Sequence, residues 1–308
     1  KKATDEIAEG IRNYLDTSRL QVNLKRHSLK GGLFTTTEQA ANLLFRIGST
    51  MVLARILLPE DFGLVAMVSV LAFIAQIFTD FGLSTASIQR KDLTDELVNS
   101  LFWVNSTLGL GVAVALAASS GLIASFYGDP RLEPIAVFFA LSFVFGGLTA
   151  QHQALMRRQM LFKSIAAVNL ASYAGSAMAG IGFALAGLGY WSLVIMRVSV
   201  SLFKMLGTWM ACGWRPGRPT PAPGSWEMIS FGSFLALNRV TNFVARKADN
   251  IIVGKLIGAS ALGLYSKAYN LVMMPITQIR LPIVSVAMSG MSSIQGQHER
   301  VRRYYERM

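Results

Sequence analysis

Charged residues are scarce in this chain of 308 residues, making up 15% of it against about a quarter of a typical soluble domain. Three long stretches carry no charge at all, at 101–127, 135–156 and 164–196. A membrane-spanning helix needs about 20 predominantly apolar residues, so each stretch is long enough to cross a bilayer. This pattern excludes a water-soluble protein and predicts an integral membrane protein.

Cysteine and grouped acidic residues are also lacking, and each absence excludes a class of chemistry. Cys212 is the single cysteine, so the chain cannot form an internal disulfide, and we expect an inert structural thiol. A glycosyltransferase or polymerase would need acidic bases or metal ligands grouped in a large hydrophilic loop, which the sequence does not provide. We therefore predict no enzymatic activity, catalytic residue, metal site or cofactor.

The apolar stretches predict an all-α polytopic membrane protein with eight helices. The stretch 164–196 is too long for one helix, and the glycines and aromatics of "AGLGYW" divide it. Small residues at every fourth position predict packing seams, at Gly109, Ala113, Ala117 and Gly121 and at Ser172, Ser176, Gly180 and Ala184. The predicted helices occupy 33–57, 62–88, 101–127, 134–156, 164–186, 189–212, 229–257 and 261–290.

Lysine and arginine are distributed unevenly between the two sides of this arrangement. Eighteen of the 29 fall in the ends and loops of one side, and Arg131 alone lies in the loops of the other. Cytoplasmic loops carry such an excess, so we predict that both ends of the chain are cytoplasmic. The net charge of +12 then reflects orientation and attraction to anionic lipid, rather than binding to nucleic acid.

A weak internal repeat relates residues 31–64 to residues 231–264 without gaps, at an offset of 200. The offset spans six predicted helices, an even number, so both copies enter the membrane from the same side, as parallel repeats do. We predict two six-helix lobes, with about four helices of the second lobe missing from a partial chain. The identical pairs are Gly32 and Gly232, Phe34 and Phe234, Asn42 and Asn242, Arg46 and Arg246, Gly63 and Gly263, and Leu64 and Leu264.

The repeat and the composition together predict four segments. Residues 1–28 form an amphipathic cytoplasmic extension, and residues 29–212 form the first lobe with six helices. Residues 213–226, rich in proline and glycine, form a cytoplasmic linker. Residues 227–308 begin the second lobe with two helices and a basic tail.

Several motifs resemble one family, the Wzx-type polysaccharide transporters of the multidrug/oligosaccharidyl-lipid/polysaccharide exporter superfamily. They are "LLPEDFGLVAM", "FTDFGLSTASIQRKD", "ALMRRQMLFKSIA" and "ADNIIVGKLIGASALGLYSKAYNL". The resemblance implies a MATE-like two-lobe bundle in the bacterial inner membrane that flips an undecaprenyl-diphosphate-linked oligosaccharide for O-antigen, capsule or exopolysaccharide assembly. It also implies a polysaccharide polymerase and chain-length proteins as candidate partners.

Ten cations lie within the predicted helices, and each would cost at least about 2.5–3.5 kcal/mol if it faced lipid at mid-membrane. Helical spacing places Gln39, Asn42, Arg46 and Ser49 on one stripe, and its repeat places Arg239, Asn242, Arg246 and Asp249 on another. We predict a cationic cleft between the lobes, suited to a diphosphate. Its substrate-binding residues are Arg46, Arg246, Arg239, Lys267, Arg197, Asn42 and Asn242.

Two questions stay open from the sequence, the role of two acidic residues and the class of substrate. Asp80 and Asp249 either bind a coupling proton or sodium ion or only neutralise arginines. The alternative functions are a MATE-type multidrug exporter and a lipid-II exporter of the same superfamily, although organic cations favour carboxylates and aromatics over arginine. His152 is interpreted as an interfacial residue without a role.

Overall fold

A computed structural model describes residues 24–79, 94–219 and 248–273, with side chains from residue 37 onward except at 74 and 77–79. Within these ranges the chain forms helices and no strand. It divides into two compact units, one ending at Gly263 and one beginning at Leu264. The helices are α1 (Leu24–Ile56), α2 (Pro59–Thr79), α3 (Asp95–Ala118), α4 (Ser120–Tyr127), α5 (Leu132–Arg158), α6 (Phe162–Leu185), α7 (Tyr190–Ala211), α8 (248–256) and α9 (259–273).

Among the described helices, α3, α5, α6 and α7 are long and apolar enough to cross a membrane. They pack side by side, with α3 along α5 and α6 along α7, while α7 also contacts α5 and α1 lies against α6. Their exposed faces carry large apolar side chains such as Leu110, Val114 and Met178, which suit a lipid environment. The predicted fold class, an all-α polytopic membrane protein, is confirmed.

The third predicted helix, 101–127, is wrong at both its start and its continuity. α3 begins at Asp95, because the Thr94 side-chain oxygen accepts a hydrogen bond from the Leu97 amide at 3.3 Å and two acidic residues occupy the first turn. α3 and α4 are separated at Ser119, whose hydroxyl donates to the Ala115 carbonyl at 2.7 Å. Serine side chains compete with the helical hydrogen-bond ladder in this way.

Glycine conformation accounts for the break between α6 and α7. Gly187 has φ 81° and Gly189 has φ 53°, values that residues with a Cβ rarely adopt. The division of the long apolar stretch at "AGLGYW" is therefore confirmed.

Small residues set the close approach of α3 to α5. A Cβ on Gly109 would lie 2.6 Å from the Phe143 carbonyl oxygen, and one on Gly147 would lie 3.3 Å from the Gly109 Cα. Ala113 is also buried, whereas Gly121 faces open space, so its predicted place in this seam is wrong. All four predicted seam residues of α6 are buried.

The break between α1 and α2 recurs between α8 and α9 at the predicted offset. α1 ends at Ile56 and α2 begins at Pro59, while the later pair ends at 256 and begins at 259. The Leu57 amide donates to the Leu53 carbonyl at 2.8 Å, and the Ile257 amide donates to the Val253 carbonyl at 3.0 Å. The two turns therefore share this hydrogen bond as well as their place in the repeat.

An ionic cluster joins the first turn of α2 to the loop that precedes α5. Arg131 Nη2 lies 2.5 Å from Glu60 Oε1 and 2.7 Å from Asp129 Oδ2. Hydrogen bonds from Arg131 hold the pKa of Asp129 below its ordinary value, and both carboxylates raise the pKa of Arg131. The cation predicted to stand alone on this side is thus neutralised locally.

The chain after α7 packs against the start of α3. Trp214 is buried and its indole nitrogen donates to Asp95 Oδ1 at 2.9 Å. Trp103 donates to the Gly217 carbonyl at 2.9 Å, and the Gly217 amide donates to Asn99 Oδ1 at 2.9 Å. The first part of the predicted linker is therefore fixed to the start of α3.

Candidate functional site

Glu38 joins the polar stripe of α1 to α6. Asn42 Nδ2 donates to Glu38 Oε1 at 3.2 Å, and Asn169 Nδ2 donates to the same oxygen at 2.6 Å. A carboxylate that accepts two amide donors is held in one position. Asn42, a predicted substrate-binding residue, therefore directs its amide nitrogen to Glu38.

Arg46 and Arg197 bring two guanidinium groups near one another across α1 and α7. Each lies within electrostatic range of the other, and Tyr173 of α6 is close to Arg197. Arg197 is an exposed residue of α7. Val194 and Val198, about 60° and 100° around α7 from Arg197, are buried, so the arginine lies at the edge of the buried face of α7.

Lys204 lies two turns beyond Arg197 on the same face of α7, as the spacing of seven predicts. The charges nearest to it belong to Arg157, at the end of α5, and to Glu38. We define the cationic cluster as Glu38, Asn42, Arg46, Asn169, Arg197 and Lys204.

Positive charge exceeds negative charge in the cationic cluster, which contains three cations and the carboxylate of Glu38. None of Arg46, Arg197 and Lys204 forms an ion pair with another described residue. Guanidinium and ammonium groups without counter-ions bind phosphate-like anions through charge-assisted hydrogen bonds. The cluster is thus chemically suited to an anionic group that enters between the helices.

Two further predicted site residues lie on α8 and α9. Lys267 is half-buried on α9 in the unit that begins at Leu264, and Asp249 is half-buried on α8. The second polar stripe stays a prediction, because most of its members lie outside the described residues. Those outside are Asp80, Arg239, Asn242 and Arg246, together with Lys247.

Sequence reasoning missed Glu38 and Asn169. Glu38 precedes Asn42 by four residues, so it lies on the same helix face as the predicted stripe. The prediction assigned the neighbouring Gln39 to that stripe and omitted Glu38. Asn169 was visible as the one amide in the charge-free stretch 164–196. Its partner, however, is 131 residues away in sequence, and only the packing of α1 on α6 joins the two.

The interpretation of His152 as an interfacial residue is wrong. Its side chain is fully buried, stacked on Trp209 at 4.6 Å between ring centroids and edge-on to Phe102 at 5.7 Å. The residue belongs to an aromatic core that also contains Trp214, at 5.2 Å. Nearby Cys212 is buried as well, and burial raises the pKa of its thiol, as expected of an inert structural cysteine.

The chain is similar to several proteins of polysaccharide biosynthesis. It is 24% identical to the lipopolysaccharide biosynthesis protein WzxC of Escherichia coli over 91% of this chain and 58% of that protein. It is 32% identical to the teichuronic acid biosynthesis protein TuaB of Bacillus subtilis over 68% of this chain and 44% of that protein. The succinoglycan biosynthesis transport protein ExoT of Rhizobium meliloti is 27% identical over 82% of this chain and 51% of its own length.

These matches extend over most of the chain but only part of each relative. The chain spans about half the length of the curated relatives it matches. No solved structure matches it. Residues 52–308 match the family model described as polysaccharide biosynthesis protein. The chain belongs to this family, which confirms the resemblance of its motifs to the Wzx-type polysaccharide transporters.

Proposed function

We propose that the complete protein flips an undecaprenyl-diphosphate-linked oligosaccharide from the cytoplasmic to the periplasmic leaflet of a bacterial inner membrane. Its product would enter O-antigen, capsule or exopolysaccharide assembly, and the protein would catalyse no covalent step. Family membership and the transport role named for the relative ExoT support transport in polysaccharide biosynthesis. Alternating access of a cationic cavity is the mechanism that we propose for it.

The cationic cluster is the observation that carries this proposal. A diphosphate that links lipid to sugar must leave water to cross the membrane, and an unpaired anion is costly at that depth. Arg46 and Arg197 can replace the water molecules around the diphosphate from two helices at once, and Lys204 lies two turns further along α7. A drug exporter that selects organic cations would gain nothing from this excess of positive charge.

Glu38 has a positioning role in the proposed site. Its carboxylate fixes the amides of Asn42 and Asn169, and its negative charge faces Lys204 while the substrate is absent. Asp80 and Asp249 remain our candidates for coupling to a proton or sodium gradient. A polysaccharide polymerase and chain-length proteins are the partners that the proposed pathway position would require.

A strain that lacks this transporter tests the proposal through surface polysaccharide. The complete protein should restore surface glycan, whereas Arg46→Ala and Arg197→Ala should each reduce it while membrane expression is retained. Removing one charge-assisted contact costs about 1.5–3 kcal/mol, or roughly tenfold or more in rate. Surface glycan is compared at limiting expression, so that transport rather than synthesis sets its amount.

Arg55→Ala is the matched control, because Arg55 is an exposed arginine in the last turn of the same helix, α1. It should restore surface glycan to the level of the unmodified protein. Full restoration by both Arg46→Ala and Arg197→Ala would refute the assigned role of the cluster.

A further inference from the structure

The first turns of α2 and α9 touch each other through two glycines. A Cβ on Gly63 would overlap the carbonyl group of Ala259 and lie 2.8 Å from its Cα. A Cβ on Gly263 would overlap the Pro59 carbonyl oxygen and lie 3.1 Å from the Gly63 amide nitrogen. All four residues lie in the unit that ends at Gly263, so the two backbones meet directly inside one compact unit.

The contact is reciprocal at the offset of the internal repeat. Gly63 meets Ala259 and Gly263 meets Pro59, so the same pair of positions is used twice, 200 residues apart in each case. Reciprocal contacts of this kind are those that a two-fold axis between equivalent segments produces. Glycine is needed at both positions, because only a residue without a side chain allows two helices to approach backbone to backbone.

Apolar side chains surround the glycine contact. Phe62 and Leu262, the residues before the two glycines, are 7% and 0% exposed, and Leu64 is 0% exposed. The Lys255 ammonium donates to the Phe126 carbonyl and lies 5.0 Å from the Phe126 ring centroid. Buried apolar side chains therefore flank both glycines, and Lys255 of α8 is held against the end of α4.

The glycine contact and the cationic cluster lie at different depths. Arg46 precedes the end of α1 by ten residues, which corresponds to about 15 Å along the helix axis. The charge distribution predicts that the α1–α2 turn faces the periplasm. A substrate bound at Arg46 would therefore have to pass the level of Gly63 and Gly263 in order to leave.

We propose that Gly63 and Gly263 form the periplasmic closure of the transporter, which holds this side shut and separates when the substrate is released. This inference rests on the proposed function. Backbone contact between two glycines stabilises the closed form by packing alone, without a buried ion pair that would resist opening. The closure can therefore open and close within the same cycle, as alternating access requires.

The first test measures the opening directly in the complete protein. Leu58 and Leu256 flank the two turns and are 66% and 78% exposed, so Leu58→Cys and Leu256→Cys accept spin labels, while the buried Cys212 stays unlabelled. Double electron–electron resonance in lipid nanodiscs should resolve a short and a long distance between the two spin labels, one for the closed form and one for the open form. A single narrow distance, unchanged when undecaprenyl diphosphate is added, would overturn the proposal without any substitution at the glycines.

The second test changes the balance between the two distances. Gly63→Ala and Gly263→Ala should each favour the long distance by about tenfold, because overpacking costs roughly 1–3 kcal/mol in the closed form alone. The two effects should be alike, since the contacts are reciprocal. Gly48→Ala and Gly111→Ala are the controls, because a Cβ at either position meets nothing within 4 Å.

Thermal unfolding of each variant shows whether a glycine substitution has disrupted folding in general. If it has, the distances measured in the spin-labelled protein with both glycines intact decide whether the closure opens. An unaltered distance distribution in both folded glycine variants would also overturn the closure. Failure of the proposed function would be seen differently, as opening at the glycines without any movement of a lipid-linked glycan.

Discussion

At the scale of single residues, Glu38 decides how strongly the cationic cluster attracts an anion. It is the one carboxylate among the described members of the cluster, and it accepts hydrogen bonds from both amides. Its charge lies near that of Lys204, so it weakens the positive field that a diphosphate would experience. The same side chain thus orders the site and limits its affinity.

Neutralising this carboxylate should therefore tighten the binding of anions. Glu38→Gln keeps an acceptor oxygen for Asn42 and Asn169 but removes the negative charge, so affinity for undecaprenyl diphosphate should rise by about tenfold. Titration of the purified complete protein at two salt concentrations measures this change, which should shrink as salt screens the charges.

Glu133→Gln is the matched control for that titration, since Glu133 is an exposed carboxylate at the first turn of α5 and outside the cluster. It should leave affinity unchanged. Weaker binding by Glu38→Gln than by the unmodified protein would contradict the role given to Glu38.

At the scale of helices, apolar runs and helical spacing predict much but not everything. Because the period of 3.6 is a local property, it correctly places Arg197 and Lys204 on one face of α7. The break at Ser119 escaped prediction, because a serine that bonds to its own helix looks no different in sequence from one that packs. The Glu38–Asn169 contact also escaped, since tertiary packing alone joins residues so far apart in the chain.

The glycine contact between α3 and α5 makes a separate prediction about stability. Gly109→Ala or Gly147→Ala should destabilise the bundle by about 1–3 kcal/mol, because the added methyl meets backbone atoms that cannot rotate away. Gly111→Ala, where a Cβ meets nothing within 4 Å, should be neutral or slightly stabilising, because alanine has the higher helix propensity. Thermal unfolding in detergent compares the three, and equal stability of all of them would contradict this account of the seam.

At the scale of the whole molecule, the repeat links the local features into one account. The helices that follow the equivalent turns at 57–58 and 257–258 touch through Gly63 and Gly263, and Arg46 of the cationic cluster precedes the first turn on α1. The sequence predicted the repeat from a few identities, but the reciprocal contact needed coordinates, because no pattern shows which two turns meet. The proposed closure and the cationic cluster together would supply what the proposed transport of a lipid-linked anion requires.

Translocation by the purified complete protein tests the central claim most directly. In proteoliposomes that carry an undecaprenyl-diphosphate-linked oligosaccharide in one leaflet, the glycan exposed on the opposite side is measured over time with a membrane-impermeant glycosidase. The account predicts protein-dependent exposure that falls about tenfold or more in the Arg46→Ala, Arg197→Ala double variant and is unchanged in Arg55→Ala. Exposure no faster than in protein-free liposomes, or equally fast in the double variant, would contradict it.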